Sequence, residues 1–221
     1  TVEGLISSYG KGVHDVIIRH LRVRPRPSTG VGGDALQLGD SAPNRAYNIM
    51  LDHLSLSWAS DEVIDLIAAR AVTVQWSTIE ESDPTGHPKG AHNFGLLSAY
   101  PGSGKISLHH NLWAHHDRRV PAVAPYEANA PADFRNNVVY NVRNALGHAG
   151  HSSNVKSAIN CFNNYIKRGP DTLSKIYPFA TFNGVSYYIK DNYIVGWGLQ
   201  GNPKRSEEHT SELQSLRIIS Y

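Results

Sequence analysis

A single cysteine, Cys161, leaves the chain without an intramolecular disulfide and without the thiolates of a Cys-rich zinc module. Charge is also scarce: 18% of residues are Asp, Glu, Lys or Arg, against the ~25% usual in globular domains. The formal net charge of +2 is too small for an electrostatic nucleic-acid binder. No apolar run approaches the ~20 residues of a membrane-spanning helix, which excludes an integral helical membrane protein. Apolar residues are not lacking. At 40% they are enough to offset chain entropy, so long disorder is excluded. The 221 residues suit one ordinary or one elongated domain.

The ends are unusual. Patterned sequence begins at Thr1 with no initiator Met, signal peptide or targeting segment before it. Residues 205–215 read RSEEHTSELQS, a polar string unlike the rest and similar to a sequencing-library adapter translated in frame. The expectation is a domain over residues 1–204 and an artefactual tail over 205–221. The natural part is then a fragment lacking its native ends.

One short pattern recurs seven times at uneven spacing. It reads VIIRHLRV from Val16, IMLDHLSL from Ile49 and VTVQWSTI from Val72. It returns as ISLHHNLW from Ile106, ADFRNNVV from Ala132, INCFNNYI from Ile159 and YYIKDNYI from Tyr187. Apolar residues at period two signal strands, and the Gly, Pro and Asn between units signal turns. Strands joined by loops of varying length suit a solenoid. Asn111, Asn137, Asn164 and Asn192 share one register. Asn tolerates a left-handed backbone, and stacked Asn side chains can bond from coil to coil. The pattern predicts an all-β fold, a single-stranded right-handed parallel β-helix, with an asparagine ladder at one corner. A β-sandwich would show regular hairpin turns, and Asn183-Gly184 is a lone candidate.

The strings GGDALQL, NIMLDHLSLSWASDEVIDL, VTVQWSTIEES, HPKGAHNFG, ISLHHNLWAHHDRRVP and DFRNNVVYN follow one another in order. In these the sequence resembles the pectate lyase family, polysaccharide lyases built as parallel β-helices. The likeness runs from about Asp15 to Tyr165. It implies calcium (Ca2+) bound by Asp34, Asp61 and Asp65, a substrate carboxylate met by Lys89, and a catalytic Arg119. The family's second arginine, after the Pro, is missing from Pro121-Ala122-Val123-Ala124, and Arg118 is the expected substitute as a substrate contact. The implied substrate is polygalacturonate or a related acidic plant polysaccharide. The implied parent is a secreted or periplasmic monomer with no nucleic-acid or membrane partner.

The residues carry a chemical argument of their own. Asp61 and Asp65 are four apart, so on a strand they share the face opposite Ile64 and Leu66. With Asp34 one coil earlier, three carboxylates would crowd together and raise their own pKa values. A hard divalent ion resolves that conflict. Glu62 is the reserve ligand. Arg119 follows two coils beyond Asp61, about 10 Å along a stack of coils ~4.8 Å apart. As a base, Arg119 would need a lowered pKa, expected from calcium, Lys89 and Arg118 nearby, and would give an alkaline optimum.

Other readings stay open. The clusters His109, His110, His115, His116 and His87, His92 are structural histidines, substrate contacts or, less simply, a transition-metal site. Trp58, Trp76 and Trp113 read as core or stacking residues. A pectin lyase would have basic residues in place of the Asp cluster. A polygalacturonase would carry NTD and DD strings, which do not occur. A non-catalytic glycan-binding solenoid would not need Lys89 and Arg119 beside the acids.

Overall fold

A computed structural model describes residues 1–25, 33–124, 131–144, 157–176, 178–179 and 185–197. Residues 205–221 and the pair Asn183-Gly184 lie outside the described residues. The described strands fall into three sheets in which every pairing is parallel. The first sheet holds Ile6–Ser7, Leu36–Gly39, Glu62–Ile67, Phe94–Ala99 and Ala122–Val123, in that spatial order. The second holds His14–Arg19, Tyr47–Asp52, Arg70–Gln75, Gly104–His109, Ala132–Arg135, Ser157–Phe162 and Val185–Lys190. The third holds Arg22–Val23, Ser55–Ser57, Thr78–Glu80, Leu112–Ala114, Val138–Tyr140, Tyr165–Lys167 and Tyr193–Val195. Chain order and spatial order coincide in each sheet, so the chain winds as a parallel β-helix. Among the described residues no helix is long and apolar enough to cross a membrane.

Each sequence repeat is one coil's strand of the second sheet, a two-residue corner, and a strand of the third sheet. Val16, Ile49, Val72 and Ile106, which open successive repeats, pair directly with one another. One face of every strand turns inward. Leu36, Ile64 and Leu96, then Leu51, Val74 and Leu108, then Leu56, Ile79 and Trp113 meet in a continuous buried core. Burial of such side chains contributes about 1.5–3 kcal/mol each, and it fixes register, because a slip of one residue would expose the whole row.

The corner between the second and third sheets carries the asparagine row. Asn111 N–H donates to Asn137 Oδ1 at 3.0 Å, Asn137 N–H to Asn164 Oδ1 at 2.9 Å, and Asn164 N–H to Asn192 Oδ1 at 3.0 Å. The amide groups of Asn137 and Asn164 also donate up the row. Ser77 extends it: its N–H donates to Asn111 Oδ1, and its Oγ accepts from Leu54 N–H. The left-handed residue is not the ladder Asn but its predecessor. His20, His53, Trp76, His110, Asn136, Asn163 and Asp191 all have φ between 49° and 57°. That kink turns the predecessor outward and the ladder amide inward.

Candidate active site

The first sheet gathers the acids. Leu36 pairs with Ile64, and Glu62 pairs with Phe94, which bridges Arg118 on the next coil. Two residues back along the same register, Asp34 stands beside Glu62. One carboxylate oxygen from each of Asp34, Asp61 and Glu62 lies within 4.8 Å of the others. Asp65 stands further along the strand beside Gln37, its paired residue on the preceding coil. Asp34, Glu62 and Asp65 are buried. Desolvation, then the charges of Asp65 and Asp61, push the Asp34 carboxyl up to about 8. Desolvation, opposed by Gln37 and aided by Asp61, pushes Asp65 up to about 6.

These residues fit a hard divalent cation. Asp65 Oδ1 is buried with no hydrogen-bond partner among the described residues. Four carboxylates face too few protein cations to neutralise them, and oxygen-only donors suit calcium.

Arg119 is the cation that reaches in. Its guanidinium forms an ion pair with Glu62 and lies 4.2 Å from the Phe94 ring centroid. Burial lowers its pKa, while Asp61 and Asp34 oppose the shift. Desolvation thus acts in the direction expected of the neighbouring cations. Arg119 has φ 62° and has left the strand. Arg118 packs on the same ring at 5.3 Å and donates from Nε to Asp117 Oδ2 at 2.8 Å. The two arginines thus converge on one phenyl group.

The segment 81–93 runs past the acids from the third sheet to the first. His87 Nε2 lies 3.3 Å from Asp61 Oδ2, and its ring stacks on His92 at 4.1 Å with planes 11° apart. Lys89 is exposed at the turn between them, and its N–H donates to His87 Nδ1. Asp61, His87 and His92 can be grouped as three metal-ligand types. An imidazole-bound ion sits in the ring plane, however, so two parallel rings cannot share one. Stacking is the simpler role.

Curated relatives are similar to most of this chain. The probable pectate lyase C of Aspergillus flavus is 30% identical over 194 residues, covering 85% of this chain and 42% of that protein. Its namesakes in Aspergillus fumigatus and Emericella nidulans are 32% and 31% identical over 196 residues, again covering 85% of this chain. The chain is a homologue of these probable pectate lyases over 85% of its length. It spans about two fifths of the length of these relatives. No family model matches it.

For this pectate lyase homologue, Asp34, Asp61, Lys89, Arg118 and Arg119 stand around one end of the first sheet, with Asp65 further along it. Glu62, the reserve ligand, belongs inside the acidic group. Alternation within the strand Glu62–Ile67 puts it on the side of Ile64 and Leu66, beside Asp34, and Asp61 joins them because it lies in the bend before the strand begins. The adjacency of two acids at a strand's first residue was the available signal. Ala124, where the family has an arginine, is buried at 4% exposure.

The remaining histidines and tryptophans sort by position. His116 is fully buried. Its Nδ1 accepts from Ser82 Oγ and its Nε2–H donates to the Ile79 carbonyl. Desolvation pushes its pKa down to about 4, so it is a neutral structural residue. Trp113 is core, and Trp76 stacks outside between His53 and His110. Trp58 is 47% exposed, with the Arg24 guanidinium over one face of its indole.

Proposed function

We propose that the chain is the calcium-dependent catalytic part of a polysaccharide lyase that cleaves polygalacturonate by β-elimination. One observation carries the reading: Arg119 reaches across Phe94 to an acidic group built from Asp34, Asp61 and Glu62. A structural solenoid has no need of four crowded carboxylates with a half-buried guanidinium among them. Asp34, Asp61 and Glu62, with Asp65 beside them, would hold calcium, which when bound neutralises a uronate carboxylate and so acidifies the adjacent C5 proton.

Lys89 meets the same carboxylate from the exposed turn, and Arg118 contacts the chain on the far side of Phe94. Arg119 takes the C5 proton. The C5–H electrons form the C4–C5 double bond, and the C4–O bond breaks with its pair on the departing oxygen, which gains a proton from solvent. Arg119 must part from Glu62 first, because a carboxylate partner favours the charged guanidinium. The parent acts outside the cell membrane, where plant polysaccharide is met.

The test is unsaturated-product absorbance on polygalacturonate with and without a chelator. Product in calcium and none in chelator is the expected result. Chelator-resistant product, or new reducing ends without unsaturation, would point to a pectin lyase or a hydrolase.

A further inference from the structure

A second corner lies just after the third sheet. Trp58, Glu81, His115 and Asn141 occupy it on successive coils, each with φ between 52° and 70°. The left-handed turn leaves Trp58, Glu81 and His115 exposed while Asn141 is buried, and it is why Trp58 escapes the core. Its indole is covered on one side by Arg24 of the preceding coil, at 5.4 Å. Trp58 Nε1–H donates to Glu81 Oε2 at 3.2 Å, which holds the ring in place. Towards later coils the indole borders an open depression of about 590 Å³ lined by Glu81, Ser82, Asp83, Pro84, Thr85 and His115. That volume lies within the about 300–1,000 Å³ of small-ligand clefts.

We propose that this depression binds an uncharged pyranose unit of a polysaccharide. The indole offers an apolar face for the C–H side of a sugar ring. Around it stand hydrogen-bonding groups of both kinds: the carboxylates of Glu81 and Asp83, the Thr85 hydroxyl and the His115 ring. Carboxylates accept from sugar hydroxyls in strong, charge-assisted bonds. The same two carboxylates repel a uronate, so the depression does not bind the anionic backbone that Arg119 and Lys89 suit. A cationic ligand is also disfavoured, because the Arg24 guanidinium already faces the indole and the charges of Glu80 and Glu81 act on it.

The framework is firm. Asp83 N–H donates to the Ala59 carbonyl at 2.7 Å, and the Asp83 carboxylate accepts from Thr85 N–H and Oγ1. Behind it, buried Ser82 is tied to buried His116. The site stands apart from the lyase reading, since binding is measured without turnover.

The experiment titrates the full chain with β-1,4-linked tetramers of galactose, glucose and mannose, by calorimetry and saturation-transfer NMR. Galacturonate and glucosamine tetramers serve as charged comparisons. At least one neutral tetramer should bind saturably, with transfer strongest at the ring C–H protons. Trp58→Ala should weaken it about tenfold or more, as loss of an aromatic anchor does. Asp83→Asn, a change on an outer turn, should weaken it several-fold with circular dichroism unchanged, and Arg119→Lys should leave it unaltered. Absence of saturable binding by all three neutral tetramers overturns the proposal. So does undiminished binding in both Trp58→Ala and Asp83→Asn, or losses confined to the galacturonate or the glucosamine tetramer.

Discussion

Replacing Asn137 tests what holds the coils together. Asn137 is 1% exposed. Its Oδ1 accepts from Asn111 N–H at 3.0 Å and Trp113 Nε1–H at 3.4 Å, and its Nδ2 donates to the Leu108 carbonyl and Asn164 Oδ1. Asn137→Ala therefore orphans two buried donors, each costing about 1–3 kcal/mol. Asn164 Oδ1 keeps its bond from Asn137 N–H. The expected loss is about 3–5 kcal/mol, a large share of a domain's usual ~5–15 kcal/mol. Asn137→Ser is the informative companion. Ser77 already occupies this row and accepts from Leu54 N–H through Oγ at 2.9 Å. A serine at 137 can serve Asn111 N–H the same way, and should cost about half as much as alanine. Urea unfolding followed by circular dichroism gives both numbers, read from the midpoint at constant slope. If serine is as damaging as alanine, the bond to Asn111 is not the cause. A loss under about 1 kcal/mol for alanine would refute the ladder as a stabiliser.

Three further outcomes follow from the acidic group. Glu62→Gln should weaken calcium binding about tenfold or more by calorimetry, because the site loses one of its ligand charges; unchanged affinity would remove Glu62 from the site. Arg119→Lys should lower unsaturated-product formation by ~10²–10⁴-fold while calcium affinity stays within a few-fold. Arg118→Lys should keep most activity, and the reverse pattern would exchange the two roles. In metal-free buffer, Asp34 and Asp65 hold their protons more tightly folded than unfolded. Stability should therefore fall as pH rises from about 4 to about 8. Asp34→Asn should flatten most of that fall in thermal melts across the range, and an unchanged slope would show that Asp34 does not carry it.

The solenoid was legible because its signal is repeated. Seven weak strand patterns with Asn111, Asn137, Asn164 and Asn192 in one register point to the same corner, and each coil confirms the next. The kink one residue earlier was not legible. His20, His53, Trp76 and His110 share no residue type with Asn136 or Asn163, because any side chain fits once the stacked corner enforces the conformation. Asp34 and Asp61, which the structure groups, could be read from spacing and likeness, whereas Asp65, expected with them, stands further along the strand beside Gln37. Glu62 could only be held in reserve, since alternation inside the strand sets it opposite Asp65, and the bend that brings Asp61 beside it lies before the strand begins. Arg119 was placed on the correct coil, but its departure from the strand, and hence its contact with Phe94, depends on a backbone turn that no local residue announces.

The parallel stacking of coils also makes the protein a graduated rule. Positions along its axis come in steps of ~4.8 Å, marked by Asp34, Glu62, Phe94 and Arg118 on consecutive coils. A loop such as 81–93 can lengthen, shorten or change its chemistry without moving any graduation, because loop closure is cheap and the sheet sets the interval. Ligand preference and reaction geometry are therefore separately adjustable: the outer loops can be rewritten while the interval from acid to arginine stays at a whole number of coils.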